Sequence, residues 1–254
     1  MTDKLTDHAK GQGQWIFGLH AVQAVLKTSA NKVRQLKVLR GREDQRLQKI
    51  LAMAERQGLS VERVMRSDLD DLTDGSHQGV AALCDDAEVQ DEHFLYELLD
   101  QSEETPFLLI LDGITDPHNL GACLRSADAA GVQAVIVPKD NSVGLTPVVQ
   151  KVACGAAENV PLVVVTNLAR TLRKLQSRGL WVIGAAGEAE QLVYDADLKG
   201  PVALVMGAEE KGLRRLTREY CDLLVKLPMA GVVSSLNVSV ATGICLFEAV
   251  RQRR

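Results

Sequence analysis

The sequence predicts an α/β protein in two parts, a small N-terminal α/β domain and a larger C-terminal domain built on a mostly parallel sheet. From Pro106 onward the apolar runs FLLIL (107–111), VQAVIV (132–137), VPLVVV (160–165), LWVIG (180–184), VALVM (202–206) and LLVKL (223–227) lack polar alternation, as strands buried on both faces do. Helical segments separate the runs: Asn119 to Ala130 ending at Gly131, Thr146 to Ala157, and Asn167 to Arg178 ending at Gly179. That alternation is the pattern of a doubly wound sheet. Before residue 85 the elements alternate too, but they are shorter.

In order, WIFGLHAVQAVLK (15–27) reads as a short strand or turn followed by an amphipathic helix, and Lys32 to Leu39 as a strand. Glu43 to Gln57 is a charged helix with Leu47, Ile50, Leu51 and Ala54 on one face and Gly58 as its stop. Val61 to Met65 returns as a strand, Ser67 is placed to cap a short helix through Leu72, and His77-Gln78-Gly79 leads into the strand Val80 to Leu83. Residues 15–84 thus form a unit of independent-domain size. An acidic connector, 85–104, carries Phe94, Leu95, Leu98 and Leu99 at helical spacing, and the second domain spans 105–254.

The 254 residues carry a net charge of −4 and 46% hydrophobic side chains. The charge is uneven: residues 85–104 hold nine carboxylates and no Lys or Arg, while residues 15–84 hold eleven basic and eight acidic side chains and residues 105–254 have a net +2. Two mildly basic bodies are compatible with RNA, although the sign alone decides little. No run approaches the roughly 18 apolar residues of a membrane span, and the polar start MTDKLTDHAKGQGQ lacks a signal-peptide apolar core, so a cytoplasmic protein is expected. The five scattered cysteines form no C-x-x-C pair, which argues against a disulfide framework or structural zinc and for reduced thiols. No metal is expected.

The sequence holds no G-x-G-x-x-G after a strand, no G-x-x-x-x-G-K-[ST], no G-x-S-x-G and no H-E-x-x-H. Three segments just beyond buried strands, at the ligand edge of a parallel sheet, remain. The first, DGITDPHNLGACLRSAD (112–128), places Asn119 to cap a helix of small residues that carries Arg125. Arg125 can grip a carboxylate or phosphate through its planar fork, or simply pair with Asp128 one turn on. The second, VMGAEEKGL (205–213), has glycines that permit close backbone approach. The third, PMAGVVSSLNVSVAT (228–242), is a small-residue loop in which Ser234, Ser235 and Asn237 can cap the final helix.

Taken jointly and in this order, NLGACLRSADAAG (119–131), LVMGAEEKGL (204–213) and LPMAGVVSSLNVSVATG (227–243) resemble the three motifs of the SpoU/TrmH family of RNA ribose 2′-O-methyltransferases. The likeness runs from Trp15 to the C-terminus. IFGLHAVQAVL and HQGV (77–80) further resemble its bacterial 23S rRNA guanosine 2′-O-methyltransferase branch, whose N-terminal domain binds RNA. The resemblance implies S-adenosylmethionine as methyl donor, 23S rRNA as substrate, a homodimer, and a trefoil knot in the C-terminal domain. Nothing in the periodicity indicates a knot, and chains as a rule do not knot.

Carried over position by position, the resemblance places catalytic roles on Asn119, Arg125, Glu209, Ser235 and Asn237, and cofactor contacts on Gly207, Leu227, Met229 and Leu236. One departure stands out: the second motif ordinarily has Gly after its Glu, where this chain has Glu210. Two other activities compatible with these residues are tRNA ribose methylation, since the catalytic motifs are shared, and a catalytically silent RNA-binding factor.

Overall fold

The computed structural model describes residues 13–73, 76–85, 88–208 and 211–254. It divides into two compact units, with the boundary between residues 87 and 88.

The first unit contains β1 (Gln14–Phe17), α1 (Leu19–Thr28), β2 (Val33–Leu39), α2 (Gln45–Arg56), β3 (Val61–Val64), α3 (Arg66–Asp70) and β4 (Val80–Cys84). The sheet order is β1-β4-β2-β3, with β2 and β3 parallel and the other two pairings antiparallel. Val22, Val25 and Leu26 of α1 and Leu47, Ile50 and Ala54 of α2 bury their apolar stripe on Leu36, Val38, Val80 and Ala82. Asp44 starts α2 by accepting from the backbone N–H groups of Arg46 and Leu47. The expected cap at Ser67 is not used: α3 begins one residue earlier, and Asp68 Oδ2 instead accepts from Met65 N at 2.8 Å. A carboxylate three residues into the helix reaches back to that N–H, whereas Ser67 already lies inside the first turn.

The HQGV segment ties this unit together. Gln78 adopts a left-handed φ of 48° and its Oε1 accepts from Leu19 N at 3.1 Å, at a helix start where Gly18 has no side chain to offer. Buried His77 accepts from Gly79 N through Nδ1 and lies 2.9 Å from Asp70 through Nε2.

The second unit begins with α4 (Glu92–Gln101), capped by Asp91. Then come β5 (Phe107–Asp112), α5 (Pro117–Ala130), β6 (Ala134–Pro138), α6 (Pro147–Ala153), α7 (Ala156–Asn159), β7 (Leu162–Val165), α8 (Leu168–Ser177), β8 (Trp181–Ala185), β9 (Gln191–Leu192), β10 (Val202–Gly207), α9 (Arg215–Glu219), β11 (Leu223–Lys226) and α10 (Val238–Arg253). The sheet runs β7-β6-β5-β10-β8-β11-β9, parallel at every pairing. Alternate residues point to opposite faces. Leu109, Leu111, Val135 and Leu204 pack with Leu120 and Leu124 of α5 and Leu246 of α10, while Leu108, Ile110, Ala134 and Val205 pack with Leu95 of α4 and Leu172 of α8.

Residues 88–104, expected to connect two domains, are thus part of the second unit, anchored by Leu95 and by the backbone pairing of Gln90 with Leu162 and Val164. The helix expected over Thr146 to Ala157 is two helices, because Cys154 (φ 53°) and Gly155 (φ 93°) turn left-handed between them. Among the described residues no helix is long and apolar enough to cross a membrane.

Candidate active site

The C-terminal ends of β5, β10 and β11 release the three loops that the motifs occupy. At the first, Asp116 caps α5 by accepting from His118 N at 2.9 Å, and Pro117 takes the first helical position, where its missing N–H costs nothing. Asn119 is therefore not the cap. It sits in the first turn, buried, with its side chain turned to the third motif. The small residues here have a packing cause: a Cβ on Gly121 would lie 2.7 Å from Val149 O, so α5 approaches α6 too closely for a larger residue.

At β10, a Cβ on Gly207 would lie 2.2 Å from the carbonyl carbon of Gly212, because Ala208 and Gly212 exchange backbone hydrogen bonds and fold the loop onto the strand. Glu209, expected to be catalytic, and Glu210 lie outside the described residues. At the third loop, Asn237 is the cap of α10: its Oδ1 accepts from Ser239 N at 2.9 Å and Val240 N at 3.4 Å. Its Nδ2 donates to Asn119 Oδ1 at 3.0 Å, which joins the first motif to the third.

Two adjoining cavities open at this edge. The smaller, about 160 Å³, is lined by all four expected cofactor residues, Gly207, Leu227, Met229 and Leu236, together with Ser235 and the loop 185–188 after β8. Its floor is apolar, with Val225, Leu213 and Cys245, whose thiol burial pushes up to about 12. The larger, about 520 Å³, is lined by Asn119, by Asp112 to Asp116, and by Asn141, Lys211 and Arg214. Ala208, Gly212 and Val238 line both.

Asn119, Ser235 and Asn237 are thus brought to one place with the four cofactor positions. Arg125 is not. It lies six residues along α5 from Asn119, about 9 Å at 1.5 Å per residue, exposed, lining neither cavity, with Nη1 3.8 Å from Cys154 Sγ. It does not pair with Asp128 among the described residues; that carboxylate accepts from Asn159 Nδ2 instead. Asp112, Lys211 and Arg214 were not foreseen. The one available signal is the carboxylate that ends the buried run FLLIL, since a charge at the C-terminal end of a parallel strand faces the ligand edge.

Residues 106–247 match the model of the SpoU rRNA Methylase family, and residues 15–90 match that of RNA 2'-O ribose methyltransferase substrate binding. The chain belongs to the SpoU rRNA methylase family. Among relatives of this SpoU methylase are proteins named 23S rRNA (guanosine-2'-O-)-methyltransferase RlmB. The one from Pseudomonas putida is 62% identical over 239 residues, covering 94% of this chain and 96% of the relative, and the one from Shewanella oneidensis is 63% identical over 240 residues, covering 94% and 97%. The crystal structure of an AdoMet-bound rRNA methyltransferase from Sinorhizobium meliloti superposes with a TM-score of 0.72 at 25% identity, covering 94% of the SpoU methylase and 87% of that chain.

Proposed function

We propose that this protein transfers a methyl group from S-adenosylmethionine to the ribose 2′-oxygen of a guanosine in 23S rRNA. The observation that carries the reading is the meeting of the first and third motifs through Asn119 and Asn237 beside a cleft lined by Gly207, Leu227, Met229 and Leu236. The cleft's residues fit the donor. An apolar floor suits an adenine ring and an aliphatic chain, while the loops 185–188 and 227–236 supply backbone polar groups. The segment 228–235 on the cleft's rim is exposed.

When bound, the donor supplies a methyl carbon on a sulfonium centre with a good leaving group, so no metal is required. The tasks of the protein are alignment and proton removal. The donor, held by Gly207, Leu227, Met229 and Leu236, would supply the methyl to the 2′-oxygen and would leave as the neutral thioether, with the hydroxyl proton taken up by a phosphate oxygen or water. Asn119, Ser235 and Asn237 orient the ribose. Glu209 completes the group by its motif position. Arg125 stays protonated, since its pKa above about 12 makes a neutral guanidine costly. From its exposed place on α5 it holds a neighbouring phosphate of the RNA backbone, which helps to orient the ribose.

Residues 15–84 bind the RNA substrate and residues 105–254 carry the chemistry, with a trefoil knot forming the donor pocket. The enzyme acts in the cytoplasm as a homodimer, with α10 at or near the interface, where Val240 and Phe247 are exposed. Incubation with methyl-labelled donor and separate rRNA and tRNA pools tests the reading. Label in a guanosine ribose of 23S rRNA taken from cells lacking the gene, where that 2′-hydroxyl is free, is the expected result. Label in tRNA alone, or in neither pool, overturns it.

A further inference from the structure

The larger cavity is left without an occupant by the roles assigned so far. Its volume of about 520 Å³ falls within the roughly 300–1,000 Å³ typical of small-molecule sites, and it exceeds what a single phosphate fills. Because it shares Ala208, Gly212 and Val238 with the smaller cleft and has Asn119 in its wall, its occupant lies beside the proposed donor and ribose positions.

One arrangement in it is built with unusual care. Asp112, at the end of β5, is fully buried, and both its oxygens are committed to one residue: Oδ2 accepts from Arg214 N at 3.0 Å and Oδ1 from Arg214 Nε at 2.5 Å. Holding a side chain by its backbone and its Nε fixes the plane of the guanidinium. Nη1 and Nη2 have no hydrogen-bond partner among the described residues, and the side chain, 44% exposed, lines this cavity as well as a neighbouring one bordered by Asp140, Thr166 and Arg215. Two parallel N–H donors on a rigid fork match two neighbouring acceptors, such as O6 and N7 of guanine. The rest of the lining is mixed. Lys211 adds a cation, whereas Asp116, Asn141 and Thr115 offer acceptors, which suit the N1–H and N2–H donors of guanine and oppose a bare anion.

We propose that this cavity receives the guanine base of the target nucleotide, and that Arg214, positioned by Asp112, reads its O6/N7 edge. The assignment rests on the methyl-transfer reading above and adds its base specificity.

The test uses the full-length enzyme and a short 23S rRNA fragment carrying, at the mapped target, either guanosine or 7-deazaguanosine, which replaces the N7 acceptor by C–H. Unaltered enzyme should lose roughly tenfold in kcat/KM on the deaza substrate, within the range of a base contact. Arg214→Ala should lose roughly ten- to a hundredfold on guanosine and show no further penalty for 7-deazaguanosine, with donor affinity unchanged. Arg214→Lys keeps a cation for Asp112 but not the fork, so it gives the same readout if the alanine variant fails to fold. Asp112→Asn, which keeps the volume but not the charge, should shrink the deaza penalty, an effect that a merely structural role would not produce. An unaltered enzyme indifferent to N7, or an Arg214→Ala variant that keeps the full deaza penalty as a phosphate contact would, overturns the assignment. Failure of unaltered enzyme to methylate even the guanosine fragment counts against the methyl-transfer reading itself, and removes this assignment with it.

Discussion

Asn237 is bound to Asn119 across 118 residues of sequence by a 3.0 Å hydrogen bond, while its other amide atom caps α10. One side chain thus sets both the start of the last helix and the contact between the first and third motifs. Asn237→Ala should cost about 1–2 kcal/mol through the lost cap and also lose methyl transfer. Asn237→Ser restores a capping oxygen but cannot reach Asn119 in the same way. Near-normal thermal stability with methylation still lost is the expected result; recovered activity in the serine variant would reduce Asn237 to a structural cap.

Arg125 is exposed and its side-chain hydrogen bond among the described residues is a long one to Cys154, so its replacement should change stability by less than about 0.5 kcal/mol. Arg125→Lys keeps the charge without the planar fork, and Arg125→Ala keeps neither. Measurably more residual methylation in Lys than in Ala, with donor affinity equal in both, is expected from a single-turnover assay. Equal and complete loss would exclude charge as the main contribution.

Gly207→Ala should abolish donor binding. The added methyl would meet the backbone of Gly212 and Leu213, which cannot yield as a flexible side chain does, and overpacking of this kind costs about 1–3 kcal/mol. Calorimetric titration with S-adenosylmethionine checks this, and a normal dissociation constant would show that the loop 208–212 can move away from β10.

Thiol labelling at pH 8 should mark Cys154 first. Cys84, Cys123 and Cys245 are buried, and half-buried Cys221 is pushed up to about 12 by burial and then by the Asp222 and Asp112 carboxylates. A bulky maleimide on Cys154 stands beside Arg125, so methyl transfer should fall while donor affinity holds, and Cys154→Ser should be insensitive. Equal labelling of Cys221 would contradict this.

A fragment of residues 88–254 should fold and bind donor but lose most rRNA methylation. A cut at residue 105 removes α4, whose Leu95 is fully buried against the sheet and contributes about 1.5–3 kcal/mol. The shorter fragment should therefore melt at a lower temperature. Full methylation of the same nucleotide by residues 88–254 would refute the division of labour.

The six long strands of the second unit were legible because burial on both faces leaves uninterrupted apolar runs, and the helices between them because their stripes repeat over several turns. Shorter features left no such trace. β9 has two residues and α9 five, too few for a period, and the left-handed break at Cys154 falls on a residue type with no preference for it. Asn119 was misassigned as a cap because two caps compete within four residues, and Asp116 with Pro117 behind it wins on geometry. Around the site, Gly207, Leu227, Met229, Ser235 and Leu236 of the smaller cavity lie in the motifs, whereas its 185–188 loop lies in none. Arg214 does not, because its significance lies in a partner 102 residues earlier, a pairing that only the adjacency of β5 and β10 creates.

That adjacency also sets a timetable. β5 lies in the interior of its sheet, yet one of its two neighbours is β10, and the contact between Asn119 and Asn237 waits for α10. The ribosome delivers these elements in sequence, at about 5–20 residues per second. The first unit can close as soon as β4 has emerged, whereas the sheet of the second waits for β11 and its cleft for α10. Every newborn molecule therefore spends several seconds with its first unit complete and its cleft unbuilt, and a ribosome stalled ahead of α10 would hold it there.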